Sequence, residues 1–341
     1  MARVDLTVRG AGIFGLSVAW EAARRGARVR VIEAVGVAAG SSGGVVGALS
    51  PHVPENWNEK KAFQLDSLLM AAGWWAAVEA ASGLASGYGR LGRLQPLADT
   101  AAVELARARG AEAEGLWRGA AAWRVVRATG AVWEPVSASG WLVADDLSAR
   151  LHPRLACAAL VGAIRAAGGE VIVGAAEEAG PVVWATGAAG LAALGADMGR
   201  DMGGAEKGQA ILLRHAAPDL PQLLVGGLHV VPHVDGTVAV GSTSEREYQG
   251  LGVDHRADDL LARAVAALPV LAGAEVVERW AGLRPRSKSR APVLGAWPGR
   301  DGHFVANGGF KIGFGMAPKV AEVMVDLVLE GRDAIPEGFR V

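Results

Sequence analysis

Three glycines, one acid and the strand–turn–helix pattern around them carry the clearest chemistry in this sequence. Gly10-Ala11-Gly12-Ile13-Phe14-Gly15 follows an apolar run at 4–8 and opens a helical run at 16–25. Gly26 closes that run as a C′ residue, an alternating stretch at 28–32 reads as a second strand, and Glu33 ends it. Gly10 permits the tight turn, Gly12 lets the backbone approach a pyrophosphate, and Gly15 lets the helix pack on the strand. The helix N-terminus then offers free N–H groups and a positive dipole end to the anion. Glu33 lies 18 residues after Gly15, where a carboxylate can accept both ribose hydroxyls. This spacing predicts dinucleotide binding. Glu33 argues against NADP, whose 2′-phosphate would meet a like charge.

Other candidate chemistries are weaker. Gly40-x-Ser42-x-Gly44 has the spelling of a serine-hydrolase nucleophile elbow, but that elbow needs a strand ending at the serine. Here the strand ends near Glu33, several residues too early. The whole segment Gly40-Ser41-Ser42-Gly43-Gly44-Val45-Val46-Gly47-Ala48 is small enough to wind along a long cofactor, and its bland reading is a flexible loop. His229 and His233, four apart on an expected strand, would share a face as a metal pair. No third ligand is suitably spaced and Pro232 interrupts, so His233 reads as structural. Cys157 falls among Leu155, Leu160 and Val161 on an expected helix and reads as a buried, inert thiol.

Helical spacing appears at 59–82, ending at Gly83, and again at 99–117, 153–167 and 258–268. Strands are expected at 90–97, 170–173 and 181–185, the last turning at Thr186-Gly187. From 207 to 281 the pattern becomes antiparallel sheet, with strands at 209–213, 224–231 and 237–241 and a turn at Asp235-Gly236. Gly241 to Glu245 is expected to leave the sheet, and glycines precede a last helix at 319–330.

At 341 residues, two domains are expected. With 51% hydrophobic and 20% charged residues there is ample core material, which excludes intrinsic disorder. Lys+Arg 34 against Asp+Glu 35 leaves no basic excess for nucleic acid or an anionic membrane. A single cysteine excludes an internal disulfide and cysteine-ligated metal clusters, and fits a reducing compartment. The longest apolar stretch, 182–196, is shorter than a membrane span, and Asp5 and Arg9 break any signal-peptide core. The expected location is cytoplasmic.

Together, the fingerprint, the Ser-Ser-Gly segment, Ala185-Thr186-Gly187, Gly282-Leu283-Arg284-Pro285 and Asn307-Gly308-Gly309-Phe310-Lys311-Ile312-Gly313 resemble the D-amino-acid oxidase / glycine oxidase family of FAD-dependent oxidoreductases. The resemblance runs in order along essentially the whole chain. It implies an α/β (α+β overall) protein with a discontinuous Rossmann-type FAD-binding domain at 1–75, 145–205 and 288–341. A substrate domain built on antiparallel sheet would be inserted at 76–144 and 206–287. By the same resemblance Gly10, Gly12, Ile13, Phe14, Gly15 and Glu33 hold the nucleotide. Ser41, Ser42, Gly47 and Ala48 run under pyrophosphate and flavin, and Thr186 and Gly187 return to the adenosine side. Gly308, Gly309, Phe310, Lys311, Ile312 and Gly313 face the pyrimidine edge of the flavin, where negative charge collects on reduction.

The implied reaction is oxidation of a small amine or amino acid such as glycine, sarcosine or a D-amino acid. Hydride passes to flavin N5, water hydrolyses the imine, and oxygen restores the flavin with release of hydrogen peroxide. The implied carboxylate anchor is Arg284, whose planar fork binds bidentately. Lys311 stands where the family often has an arginine that assists the carboxylate, and Gly309 where it often has histidine; the charge is kept and the fork is lost. His229 stands where glycine oxidases place a tyrosine bordering the substrate. Positioning largely replaces acid–base residues in this family, so no general base is assigned. FAD is expected to be non-covalent, since Cys157 lies on a mid-chain helix far in sequence from the flavin segments. The acceptor is left open between oxygen and a quinone or partner protein, a macromolecular substrate remains an alternative, and homo-oligomerisation is open.

Overall fold

The computed structural model describes residues 4–341. Strand Leu6–Arg9, helix Ile13–Arg24 and strand Val29–Glu33 form where the spacing places them, with Gly10 at φ +102° in the turn. Helix Ile13–Arg24 is buried from Ile13 to Ala23 because it lies between the sheet and two other helices, Pro153–Ala166 and Gly313–Glu330. The helix is therefore apolar nearly all round. The fully buried Glu21 is matched by Arg25, whose guanidinium also reaches Asp326 at 2.7 Å and ties this helix to the last one.

The first sheet runs, edge to edge, Val293–Ala296, His303–Asn307, Val182–Trp184, Leu6–Arg9, Val29–Glu33, Glu170–Val173. All neighbours are parallel except the first pair. The second runs Val276–Ser287, Gly203–Arg214, Thr237–Gly241, Leu228–Pro232, Gln222–Val225, Arg93–Pro96, Trp141–Asp145, Trp123–Arg127. It is antiparallel except where Gln222–Val225 lies beside Arg93–Pro96. The chain alternates between the sheets, so the second sheet is assembled from two separate stretches. Helix Arg256–Ala267 covers one face of it with Leu260 and Ala264 packed on Ile211, Leu213 and Val240.

Helix Glu59–Ser82 has the expected bounds, capped by Asn58 and stopped by Gly83 at φ +69°. Three expectations are corrected. The apolar run at 224–231 is a hairpin of two strands, because Gly226 and Gly227 both take positive φ and turn the chain. The last helix starts at Gly313, six residues before the expected start, with Pro318 inside it. The segment after Gly241 does not leave the sheet: Thr243 and Glu245 donate N–H bonds to Gln209 and Lys207 and extend the ladder.

No described helix is long and apolar enough to cross a membrane. Gly15 shows how close the fingerprint packing is, since a Cβ there would lie 1.9 Å from the Gly10 carbonyl oxygen. Gly15→Ala should push the helix off the strand. We expect a loss on the order of 1–3 kcal/mol, read as a lower Tm together with lower flavin retention; an unchanged Tm contradicts this packing.

Candidate active site

The C-terminal ends of strands Leu6–Arg9 and Val182–Trp184, the 40–48 segment, the start of helix Gly313–Glu330 and strand Val276–Ser287 surround one cavity of about 820 Å³. Its wall includes Gly10, Gly12, Ile13, Phe14, Glu33, Ser41, Ser42, Ala48, Thr186, Gly187, Gly309, Phe310, Lys311 and Gly313, with Arg284 and His229 beside them. Of the expected cofactor-binding residues, Gly15, Gly47, Gly308 and Ile312 do not line it. Gly47 passes so close to the chain at Leu151 that a Cβ would meet the Leu151 carbonyl oxygen at 1.9 Å. Gly308 takes φ +76°, and Ile312 is the N-cap residue of the last helix.

At the nucleotide end Gly12 is the N-cap of helix Ile13–Arg24 and has no side chain to fill the space before it. Ser42 Oγ accepts from the Ile13 N–H at 3.0 Å, which fixes the Ser-Ser-Gly segment against the helix start. The Glu33 carboxylate accepts from the Ala11 N–H at 2.7 Å and the Val35 N–H at 3.1 Å. Glu33 thus braces the glycine turn as well as facing the cavity. Trp184, Trp297 and Arg300 complete this end, the Arg300 guanidinium lying 4.4 Å from the Trp297 ring centroid. The cradle of glycines, the helix start and the acid fit an FAD nucleotide.

The opposite end is built on a cross-strand pair of glycines. Gly208 and Gly282 face each other in the register of strands Gly203–Arg214 and Val276–Ser287. The Arg284 guanidinium lies flat across Gly208, where a Cβ would be 1.9 Å from Nη2. The Trp280 indole lies across Gly282 in the same way, 2.3 Å from a Cβ built there. Two bare backbones make room for two flat side chains.

Arg284 is 8% exposed, and no carboxylate lies within salt-bridge distance of it among the described residues. Its Nη2 donates to Ser242 Oγ at 2.6 Å and its Nη1 to the Thr243 carbonyl at 3.1 Å. Burial lowers its pKa and the more distant Glu206 and Glu245 partly restore it, leaving the guanidinium charged. The Ser242–Ser244 segment that receives these bonds is itself held from the other side. Thr243 Oγ1 accepts from the Gln209 N–H at 2.7 Å and donates to Glu245. Gln209 and the buried Lys207 reach on to Asp254, whose carboxyl is held well below the usual range by Gln209, the Arg256 amide and Lys207. Lys311 donates to Ser244 Oγ at the cavity mouth.

His229 lines the cavity with its Nδ1 buried and unpartnered. Burial, with Arg93 and Lys311 nearby, pushes its pKa down to about 4, so it is neutral at pH 7. His233 lies past the strand end in the turn. It bonds Thr237 Oγ1 at 3.1 Å and packs on His152 with ring centroids 4.6 Å apart. The histidines do not pair, and no group of three metal-ligating residues exists among the described residues. Cys157 is buried and its pKa is pushed up to about 12 by desolvation, in line with an inert thiol. Sequence reasoning missed Ser242 and Trp280 as wall residues. Trp280, Gly282 and Arg284 alternate along one strand, a period-two signal that puts all three on one face.

A family model described as DAO, FAD dependent oxidoreductase, matches residues 5–327. The chain belongs to this family. A glycine oxidase of Pseudomonas aeruginosa is 37% identical over 131 residues, a match spanning 38% of this chain but only 36% of that one. The crystal structure of glycine oxidase from Geobacillus kaustophilus has a TM-score of 0.85 at 23% identity, covering 98% of this chain and 97% of the other. Iminodiacetate oxidase from Chelativorans sp. BNC1 also has a TM-score of 0.85, at 22% identity and 98% coverage of both chains. These likenesses are of fold. The family supplies the cofactor, FAD, and the chain is an FAD-dependent oxidoreductase.

Replacing Glu33 by arginine removes the brace on the Ala11 amide and puts a bulky donor where ribose hydroxyls belong. A charged hydrogen bond is worth about 1.5–3 kcal/mol, so Glu33→Arg should weaken FAD affinity at least tenfold, read as the flavin-to-protein absorbance ratio after dialysis. Full occupancy would make Glu33 only a turn brace. A second expectation concerns pH. His229 and His233 have folded pKa values of about 4 and about 3, below the ordinary 6.5, so the unfolded chain takes up protons first as pH falls. Their stabilising contribution is complete above pH 6.5 and is lost as pH drops toward 4 and 3, at about 1.4 kcal/mol per pH unit for each histidine. Melting curves of the wild type and His233→Asn across that window should converge at low pH. Parallel curves contradict the assignment.

Proposed function

We propose that the protein oxidises small amines that carry a carboxylate, of the amino-acid or N-alkyl-amino-acid kind, with non-covalent FAD as cofactor and oxygen as the final acceptor. The observation that carries this reading is Arg284, a buried guanidinium on the wall of the FAD-family cavity with neutral partners only. A charge in that position calls for an anion from the ligand, and its fork matches a carboxylate bidentately.

Bound FAD supplies a two-electron acceptor, which the polypeptide alone lacks. Gly10, Gly12, Glu33 and Ser42 would hold its nucleotide half, while Gly309 and the amides opening helix Gly313–Glu330 would face the flavin. The chain's own work is positioning. Arg284, fixed by Ser242 and Thr243, sets where the carboxylate sits and therefore which α-hydrogen is presented. Trp280 and Leu283 wall the site with apolar surface and exclude water, which strengthens the ion pair. His229 is neutral and offers an imidazole beside the substrate without repelling an ammonium or competing for the carboxylate. The net reaction adds O2 and water to the amine and releases an oxo acid, ammonia or an amine, and H2O2.

Arg284→Ala should leave FAD bound, because the nucleotide contacts come from other segments, and lower kcat/KM on the order of 10²-fold or more. Lys311→Ala should be milder, since an ammonium is a point charge. An alkylamine lacking a carboxylate should be a poor substrate whose kcat/KM responds far less to Arg284→Ala. If Arg284→Ala loses its flavin, or oxidises amino acids normally, Arg284 is structural and the carboxylate reading fails. Acid precipitation should release the yellow chromophore into the supernatant, and flavin retained in the pellet would contradict non-covalent binding.

A further inference from the structure

The substrate end of the cavity holds more positive charge than one carboxylate needs. Arg284 and Lys311 both line it, and neither makes an ion pair among the described residues. Lys311 makes one polar contact, with Ser244 Oγ, and its ammonium lies 5.4 Å from the Phe310 ring centroid. The acid on the same strand face, Glu206, is already approached by Arg286 at 3.6 Å and Arg246 at 3.9 Å. Desolvation lowers the Lys311 pKa and Arg284 lowers it further; Glu206 pulls the other way, and Arg290 adds a smaller lowering. An incoming anion would relieve that repulsion.

The two cations are also held by different residues. Arg284 is tied to Ser242 Oγ and the Thr243 carbonyl, whereas Lys311 is tied to Ser244 Oγ. Arg284 is buried and Lys311 is exposed at the mouth. The arrangement offers an anion two cations at different depths, one dry and bidentate, one wet and single-pointed. A carboxylate gripped by the Arg284 fork leaves Lys311 without a partner.

We propose that the preferred substrate is an amine bearing two carboxylates, the reacting arm's carboxylate on Arg284 and the second on Lys311 at the mouth. This rests on the reading that the site oxidises carboxylate-bearing amines and narrows it to dianionic ones. The second carboxylate has two chemical sources: a substituent on the nitrogen, as in iminodiacetate, or the side chain of an acidic amino acid, as in D-aspartate. For iminodiacetate the atoms balance as iminodiacetate + O2 + H2O → glyoxylate + glycine + H2O2. A C–H and an N–H bond are broken, two electrons end on dioxygen, and water adds across the resulting C=N bond before the C–N bond cleaves.

The test compares ligands that differ by one carboxylate, using the flavin-loaded protein. Diglycolate and methoxyacetate cannot be oxidised at an amine and bind through carboxylates, so each can be titrated by its perturbation of the flavin spectrum. Diglycolate should bind about tenfold tighter than methoxyacetate. Lys311→Gln should collapse that ratio toward one, and Lys311→Arg should restore it. In turnover, kcat/KM for iminodiacetate relative to sarcosine, or for D-aspartate relative to D-alanine, should exceed one and should fall about tenfold in Lys311→Gln. The pair that shows the effect identifies the source of the second carboxylate. Equal binding of the two ether acids, or a ratio unchanged in Lys311→Gln, overturns the proposal while leaving the monocarboxylate reading intact. If no carboxylate perturbs the flavin and no amine is oxidised, both readings fall.

Discussion

A guanidinium out of water with no carboxylate beside it is costly, and the Arg284 end of the cavity is organised around holding one in that state. Arg284 reaches its position because Gly208 and Gly282 oppose each other across two strands and leave the backbone bare. Any side chain at Gly208 would occupy the space of the guanidinium. The two hydrogen bonds that Arg284 makes go to uncharged oxygens on one short segment, so its charge is oriented but not neutralised. The segment can hold it because Thr243 is clamped to Gln209 and Glu245, and these belong to a buried ionic network with Lys207 and Asp254 on the far side of the strand. Behind the sheet the charges are paired, whereas in front of it Arg284 makes no ion pair among the described residues.

The other half follows a different constraint, the close approach of main chains. Gly10, Gly15 and Gly47 each pass within contact of a carbonyl oxygen, so the turn, the helix and the Ser-Ser-Gly segment interlock without side chains between them. The space so freed runs from Glu33 to Arg284 as a single cavity. The two ends come from different sheets, and the chain crosses between those sheets repeatedly to assemble them. A cofactor in this cavity would touch segments from both ends of the sequence, which couples its retention to the integrity of the whole fold.

The nucleotide end was legible in the sequence because its signals are local. A strand, three glycines, a helix and an acid lie within some thirty residues, and each has a separate physical reason to be there. The wall of the substrate end was less legible because it depends on register between distant strands. Arg284 stood out through its Gly-Leu-Arg-Pro setting, yet nothing near it announces that Gly208 lies beneath it or that Ser242 and Thr243 accept its protons. The expectation that the chain leaves the sheet after Gly241 hid those partners, because pairing with Gln209 and Lys207 is a long-range fact. The 224–231 run was misread for a local reason: two glycines inside an apolar stretch were absorbed into a strand although they mark a turn. Pro232 reads in the sequence as an interruption between the two histidines, and the strand does end there, before His233.

The central claim is that the unpaired Arg284 guanidinium is the anion site of the cavity. The most direct measurement is a crystal structure of the flavin-loaded protein with glycolate bound. The account predicts a carboxylate bidentate on Arg284, with Ser242 and Thr243 still accepting from its remaining N–H groups and Gly208 unmoved beneath it. Glycolate bound elsewhere, or Arg284 swung away to pair with Glu206, would contradict it.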